Sequence, residues 1–350
     1  MRALTIIPGQ PNSAAMVEMA EPPADSDQLL VEAIAVGICG TDRELVAGHG
    51  GQAPPGESRL VLGHESLGRV IAAPPGTGFA TGDLVVGIVR RPDPVPCENC
   101  ALGEWDMCLN GLYTECGIKG RHGFARERYR LEPEFAVKVD AALGQAAVLL
   151  EPASVLAKAW EHIGRIGTRA HWQPRHVLVT GAGPVGLMAA LLGVQRGLDV
   201  HVLDIVTTGP KPQLVRDLGA TYHADGIENA GPLPDVILEC TGVGQLVFGA
   251  MARSARNSIM CLTGISSGGR EVPIDAGLLN RSLVLENDVV FGSVNANRRH
   301  YQQAAEALAA ADRNWLDRLI TRRVPLDRWA EALEHQPGDV KTVLDFQPAN

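Results

Sequence analysis

The segment Gly181-Ala182-Gly183-Pro184-Val185-Gly186 constrains the fold of this chain more than any other. Three glycines in the spacing G-x-G-x-x-G carry little weight alone, because glycine-rich hexapeptides arise by chance. Their setting gives them meaning. The β-branched run His176–Thr180 before them reads as a strand, and the apolar run Pro184–Gly197 after them reads as a helix. In such a strand–turn–helix, Gly181 permits the tight turn and Gly183 lets the backbone approach a pyrophosphate. Gly186 lets helix and strand pack closely. The helix start, at Pro184 and Val185, offers free N–H groups and partial positive charge to phosphates. Asp204 closes the next strand, Asp199–Leu203, where an acid accepts hydrogen bonds from a ribose 2′-hydroxyl. A carboxylate there repels a 2′-phosphate, so NAD is favoured over NADP. Lys211 and Arg216 soften that preference and leave NADP possible. A turn in an α/β domain without a nucleotide is the alternative.

The texture on either side of residue 144 differs. Before it, short apolar runs such as Leu29–Ile38, Leu67–Ala72 and Leu84–Val89 alternate with Gly/Pro turns, as in an irregular β domain. After it, helical patterns alternate with short β-branched runs, the mark of a parallel sheet with crossover helices. Beyond the strands named above, Asp235–Glu239, Ser258–Leu262 and a long Leu283–Phe291 read as strands, with a helix over 245–254. Helices over 298–311 and 326–336 and a strand Thr342–Phe346 follow. There is no internal repeat and no low-complexity tract.

Length and charge bound the function. At roughly 150 residues per domain, 350 residues imply two domains with a sizeable core. The net charge of −9 argues against nucleic acid and anionic lipid, which select basic patches. Aromatics at 4% leave little for stacking on single-stranded bases. The opening Met1–Gly9 is too short an apolar run for a signal peptide, and the longest apolar stretch, Pro184–Val194, is far below the roughly 20 residues that span a bilayer. The chain reads as a soluble cytoplasmic protein. Its seven cysteines, an odd number, argue for thiols or metal ligands over a disulfide framework.

Two further segments, Cys39-Gly40-Thr41-Asp42 and Gly63-His64-Glu65, offer a thiolate, an imidazole and a carboxylate. That donor set suits a tetrahedral Zn²⁺. Neither segment is specific by spacing, since a lone cysteine is ordinarily a small buried residue and a lone histidine a satisfied core one.

Their order along the chain carries more. Cys39–Asp42, Gly63–Gly68, a cysteine cluster near residue 100, Glu151-Pro152 and then the glycine loop resemble the zinc-dependent medium-chain dehydrogenases over nearly the whole chain. Cys39–Glu44, Leu62–Gly68, Val89–Pro92, Gly117–Phe124 and Gly292–Tyr301 resemble the glucose (aldose) 1-dehydrogenases within them. The resemblance implies an α/β protein: a GroES-like β-barrel catalytic domain (1–152 and 294–350) and a Rossmann doubly wound parallel-sheet domain (153–293), with the active site in the cleft between them. It implies zinc ligands Cys39, His64 and Glu65, with Glu151 near the metal or its water. Glu151 takes the place of a second cysteine of simple alcohol dehydrogenases. A harder carboxylate can exchange with substrate oxygen, so ligation by Glu65 or Glu151 is expected to depend on the bound state. Thr41 would relay the hydroxyl proton as hydride leaves for the nicotinamide. Thr241, Ile265 and Val294 join Gly181, Gly183, Pro184, Val185, Gly186 and Asp204 as expected cofactor contacts.

Glu115 and Asn295, with Glu151 and His64 close by, are implied to face the sugar hydroxyls. Arg90 and Arg91 either reach that pocket or form a solvated face. Cys97-x₂-Cys100-x₇-Cys108 resembles the family's structural-zinc lobe, except that Gly103 stands where a fourth cysteine is usual. Asp106, Glu104, Cys116 or a water would complete the set; the alternative is a metal-free lobe of reduced thiols. Cys240 and Cys261 fall in strands and read as packing residues. A homodimer or homotetramer is expected from the resemblance alone. Two other readings stand beside an aldose 1-dehydrogenase: a polyol or secondary-alcohol dehydrogenase of the same superfamily, and a non-catalytic NAD-binding protein.

Overall fold

A computed structural model describes residues 1–23, 27–266, 268 and 271–347. The chain divides into two compact units, Met1–Ser154 with Asn295–Asn350, and Val155–Val294.

The first unit is built on the ten-residue strand Leu29–Ile38, rich in β-branched and small apolar residues. One of its edges pairs antiparallel with Glu65–Ala72. The other is shared: residues 29–32 pair with Arg128–Leu131, and residues 35–38 with Lys341–Asp345. The sheet continues from Glu65–Ala72 to Leu84–Gly87 and Ala136–Lys138, and from Lys341–Asp345 to a parallel partner, Ile320–Pro325. Buried on both faces, Leu29–Ile38 reads as a nearly continuous apolar run, with Val31, Ala35 and Val36 fully enclosed. Two three-stranded sheets complete the unit: Ala15–Glu18, Arg2–Ile6 and Leu60–Val61, and Arg90–Arg91, Thr114–Cys116 and Gly120–Arg121.

The second unit is a six-stranded, all-parallel sheet. Its spatial order is Thr221–His223, Asp199–Leu203, His176–Thr180, Val236–Glu239, Ile259–Leu262 and Val289–Gly292. That is the doubly wound 3-2-1-4-5-6 order, whose direction reverses beside His176–Thr180, where ligands bind outside the carboxyl ends of the strands. The helix Pro184–Gln195 enters after Thr180 with proline at its first position, and Gly186 to Gly193 are all buried. A Cβ on Gly186 would collide with the carbonyl oxygen of Gly181, so helix and turn close to a distance only glycine permits.

Several elements differ from the sequence expectation. The long strand over 283–291 is instead the end of a helix, Ala276–Glu286, followed by the short strand Val289–Gly292. A short apolar run carries no period, so Leu283-Val284-Leu285 fits either element. The helix is set by Asp275, whose side chain accepts from the Leu278 N–H, and it stops at Asn287 in the left-handed conformation, φ 58°. Residues 326–336 hold only a 3₁₀ turn, Leu326–Arg328, and a five-residue helix, Trp329–Leu333. The helices expected over 184–197, 245–254 and 298–311 are Pro184–Gln195, Gly244–Met251 and Arg298–Ala309. No helix among the described residues is long and apolar enough to cross a membrane.

Candidate active site

The first unit brings three expected ligands together. Cys39 ends the central strand and caps the helix Gly40–Val46, its Sγ accepting from the Thr41 N–H at 3.3 Å. His64 and Glu65 stand at the start of the neighbouring strand, and Glu65 pairs with Gly37 across the sheet. A Cβ at Gly37 would strike the Glu65 carboxylate, so that glycine opens the space in which the acid lies. Sγ of Cys39 and Nε2 of His64 are 3.0 Å apart. One donor atom from each of Cys39, His64 and Glu65 lies within 4.8 Å of the others. A thiolate, an imidazole and a carboxylate converging with His64 and Glu65 almost wholly buried is a donor set that fits Zn²⁺.

Residues that sequence reasoning missed surround this cluster. Asp42, fully buried, accepts from the Cys39 N–H at 3.0 Å and places Oδ1 3.4 Å from Nδ1 of His64. Among the described residues neither of those two atoms has a hydrogen-bond partner. A carboxylate behind the far nitrogen is how a metal-binding histidine is oriented. Burial opposes charge on His64, yet Cys39 and Asp42 outweigh it and raise the ring well above its ordinary value. Lys341 is the other omission. Its Nζ meets both Glu65 oxygens, at 2.7 and 2.5 Å, and the pair is almost wholly buried. Burial pulls Lys341 down, but Glu65 and Cys39 raise it further, so it stays cationic. The spacing Cys39-x-x-Asp42 is a capping-box signal and could have flagged Asp42. Nothing local points to Lys341, which is 276 residues from Glu65.

Glu151 opens the helix Leu150–Gly167 beside the same cluster. Burial raises its carboxyl to about 7, with His64 and Lys341 opposing and Glu65 assisting. It does not share the compact donor group of Cys39, His64 and Glu65.

Glu115 and Asn295 are joined directly. Asn295 Nδ2 donates to Glu115 Oε1 at 2.9 Å, and Arg90 donates to the same oxygen from Nε and Nη2 at 3.1 and 2.9 Å. Among the described residues no donor reaches Oε2. Arg90 lies over the Tyr113 ring at 3.7 Å. The picture of a solvated Arg90–Arg91 face is therefore corrected: both are about 95% buried. Arg91 donates to Glu132 and sits over Phe135. A guanidinium whose charge meets a carboxylate and whose flat face meets a ring can be enclosed.

The three lobe cysteines gather, with donor atoms within 4.8 Å of one another. Backbone N–H groups, Leu109 first, lower Cys97 to about 6, while burial raises Cys100 to about 11. None of the three side chains considered as a fourth ligand belongs to this group. Glu104 pairs with Arg299, Asp106 accepts from Asn297, and Cys116 is buried in the strand Thr114–Cys116. All seven cysteines are free thiols. Cys261 is buried in its strand, and burial raises the Cys240 thiol to about 12.

In the second unit the glycine loop joins the strand His176–Thr180 to its helix, as expected. Asp204 Oδ2 accepts from the Ala182 N–H at 2.7 Å and from Lys211 Nζ at 3.1 Å. Lys211 therefore reaches the acid; Arg216 lies toward the Tyr222 ring instead. Thr241 and Ile265 line a cavity of about 550 Å³ with Gly242 and Ser266. Glu239, absent from the sequence expectation and fully buried, holds two of these lining residues: Oε1 accepts from Thr180 Oγ1 and from the Thr241 and Gly242 N–H groups. Val294 is half-exposed, and its carbonyl accepts from Lys158 at 3.0 Å.

Comparisons with known proteins agree with this geometry. Residues 25–141 match the alcohol dehydrogenase GroES-like domain, and residues 144–346 match the glucose dehydrogenase C-terminus. The chain is 38% identical to glucose 1-dehydrogenase of Methanocella arvoryzae over 99% of both chains. It is also 38% identical to glucose 1-dehydrogenase of Thermoproteus tenax, over 99% of this chain and all of that one. The structure of Haloferax mediterranei glucose dehydrogenase, in complex with NADP, zinc and gluconolactone, superposes with a TM-score of 0.91 at 30% identity and full coverage of both chains. A GroES-like unit with a thiolate–imidazole–carboxylate cluster, a Rossmann sheet with its glycine loop, and these full-length likenesses place the chain in the glucose 1-dehydrogenase family of medium-chain dehydrogenases.

Proposed function

We propose that this protein is a zinc-dependent NAD(P) oxidoreductase that oxidises C1 of an aldose, such as D-glucose, to the aldonolactone. The convergence of Cys39, His64 and Glu65 carries the reading, because a nucleotide-binding protein without catalysis needs no such buried donor set. These three residues would hold the zinc, and Glu151 is an alternative ligand. When bound, the metal supplies Lewis acidity that lowers the pKa of a substrate hydroxyl.

The chain's own residues do the rest. Asp42 sets its carboxylate 3.4 Å behind His64 and accepts from the Cys39 N–H to complete the capping box. Lys341 donates to both oxygens of Glu65 and fixes the carboxylate in place. The Thr41 hydroxyl, two residues past Cys39, takes the proton leaving the anomeric hydroxyl and passes it outward. A bound nicotinamide would supply the two-electron acceptor for the C1 hydrogen, so that loss of the hydroxyl proton and of that hydride together would leave C1–O as a carbonyl. Glu115, held on Oε1 by Asn295 and Arg90, presents Oε2 to a sugar hydroxyl. Such a directional acceptor rejects analogues that lack the hydroxyl far more sharply than an apolar wall rejects a methylene.

Gly181, Gly183 and Gly186, with the helix start at Pro184 and Val185, would receive the pyrophosphate. Thr241, Ile265 and Val294 are further cofactor contacts in this reading. Asp204 favours NAD, and the Lys211 ammonium on its carboxylate supports use of NADP as well. The lobe of Cys97, Cys100 and Cys108 would hold a structural zinc with a fourth donor from outside the side chains considered above. Assembly as a homodimer or homotetramer is supported by the apolar residues that the helix Ala276–Glu286 leaves exposed, Leu278, Val284 and Leu285.

The test is a panel of aldoses and polyols followed by NADH absorbance, with metal analysis of the same sample. Oxidation of aldoses, lost on chelation and restored by zinc, is the expected result. Preferential oxidation of polyols would move the assignment to a polyol dehydrogenase. Intact NAD binding with neither zinc nor turnover would end the catalytic reading.

A further inference from the structure

A third group of metal-type donors lies within the parallel-sheet unit, and the dehydrogenase chemistry leaves it without a task. His176 opens one strand and Asp199 opens the strand beside it, paired in register. His201 stands two residues beyond Asp199 on the same face. Asp199 Oδ2 is 3.0 Å from His176 Nδ1 and 3.2 Å from His201 Nε2. On the next strand, His223 Nε2 lies 2.8 Å from His201 Nδ1, with the two rings stacked at 5.1 Å. Three adjacent strands thus carry a diagonal row of imidazoles with one carboxylate. The glycine loop follows the opposite end of the strand that His176 begins, about 13 Å away at the rise of an extended chain.

We propose that His176, Asp199 and His201 form a binding site for one divalent transition-metal ion, zinc by preference, separate from the catalytic cluster and the cysteine lobe. The two separations to Asp199 Oδ2 approach the edge of a tetrahedron with metal–ligand bonds of about 2.0–2.1 Å, roughly 3.3 Å, and all three donor atoms lie within 4.8 Å of one another. Two imidazoles and one carboxylate suit zinc, copper or nickel, whereas magnesium and calcium prefer oxygen throughout. The three side chains lose little freedom on binding, because paired strands already fix their backbones. His223 supplies the outer partner: with His201 bound through Nε2, its Nδ1–H donates to His223 Nε2, as ligating histidines donate to a group behind them. The packing around His201 is shaped for that ring. A Cβ on Gly231 would run into it, and Arg253 fastens the same loop by donating to the carbonyls of Gly231 and Pro232. The approach is open, since the Asp199 side chain is 53% exposed and that of His176 36%. Three protein donors leave a fourth position for water. The ion would cross-link the beginnings of two neighbouring strands, so its effect is expected on the stability of this unit.

The experiment uses the full-length protein. Wild type, His176→Gln and Asp199→Asn are dialysed against the same buffered series of free Zn²⁺, and bound zinc is counted by mass spectrometry. Each variant should hold one equivalent fewer than wild type over part of the series and lose most of the zinc-dependent rise in melting temperature. NAD affinity, measured alongside, should be unchanged. Equal zinc content and equal thermal response in all three proteins would overturn the proposal. So would an equivalent lost only together with NAD affinity, because that would mark a disturbed sheet. X-ray absorption of the additional equivalent should show nitrogen and oxygen neighbours; sulfur neighbours would place it in a thiolate site and also refute the assignment.

Discussion

Single side chains in this protein hold charge in places where charge is costly. Lys341 and Glu65 are both nearly excluded from solvent, and their side chains meet at 2.5 Å. Replacing Lys341 with Met should destabilise the protein by about 3–5 kcal/mol, because a buried carboxylate loses its paired cation. Denaturant unfolding would measure it. The double variant Lys341→Met with Glu65→Leu should regain much of that stability while remaining inactive on aldoses. Full activity in the double variant would remove Glu65 from the site. Glu132 gives a pH-dependent case. Burial raises its carboxyl, but Arg91 and Arg121 prevail and hold it below the ordinary carboxylate range. A lowered folded-state pKa contributes stability that is present above the unfolded value and is lost as pH falls through the folded one. Glu132→Gln should therefore cost about 2–3 kcal/mol at neutral pH, less than a fully buried pair. That difference should shrink as pH drops below the normal carboxylate range. A constant difference across that window would contradict the assignment.

Elements were legible where local chemistry decided them. Leu29–Ile38, His176–Thr180 and Asp199–Leu203 are bounded as their β-branched runs and turns suggested. The helix Ala276–Glu286 was not, because its apolar residues lack a buried face and leave no periodic trace. The strand Thr221–His223 and helix Pro210–Asp217 were overlooked for a similar reason: one is short, and the other opens on two prolines. In the candidate site, the convergence of Cys39, His64 and Glu65 was readable from their motifs, whereas Lys341 and Glu239 depend on pairings that only the folded sheets create. The strand–turn–helix around the glycine loop offers the sharpest test at this scale. Gly186→Ala places a methyl group against the Gly181 carbonyl, and relieving the clash costs about 1–3 kcal/mol. NADH titration by fluorescence should show affinity weakened by about tenfold or more, with the zinc content of the protein unchanged. Unchanged affinity would mean that the turn does not receive the pyrophosphate.

At the scale of the whole molecule, the exposed Leu278 and Leu285 lie two turns apart on one helix face, with Val284 beside them. Light scattering should report a dimer or tetramer, and Val284→Asp with Leu285→Asp should shift it toward monomer without loss of secondary structure. A monomeric wild type would reject the assembly. The unit that carries the Cys39–His64–Glu65 cluster is also discontinuous in sequence, drawn from Met1–Ser154 and Asn295–Asn350. Lys341 begins a strand that lies inside its main sheet, between Leu29–Ile38 and Ile320–Pro325. During synthesis on the ribosome, Cys39, His64 and Glu65 thus emerge long before the strand and the cation that complete their surroundings. The parallel-sheet unit in between can fold as it leaves the exit tunnel. The half-made sheet must wait for nearly the whole polypeptide, exposing its thiol and its unpaired strand edge to whatever metal or chaperone the cell supplies.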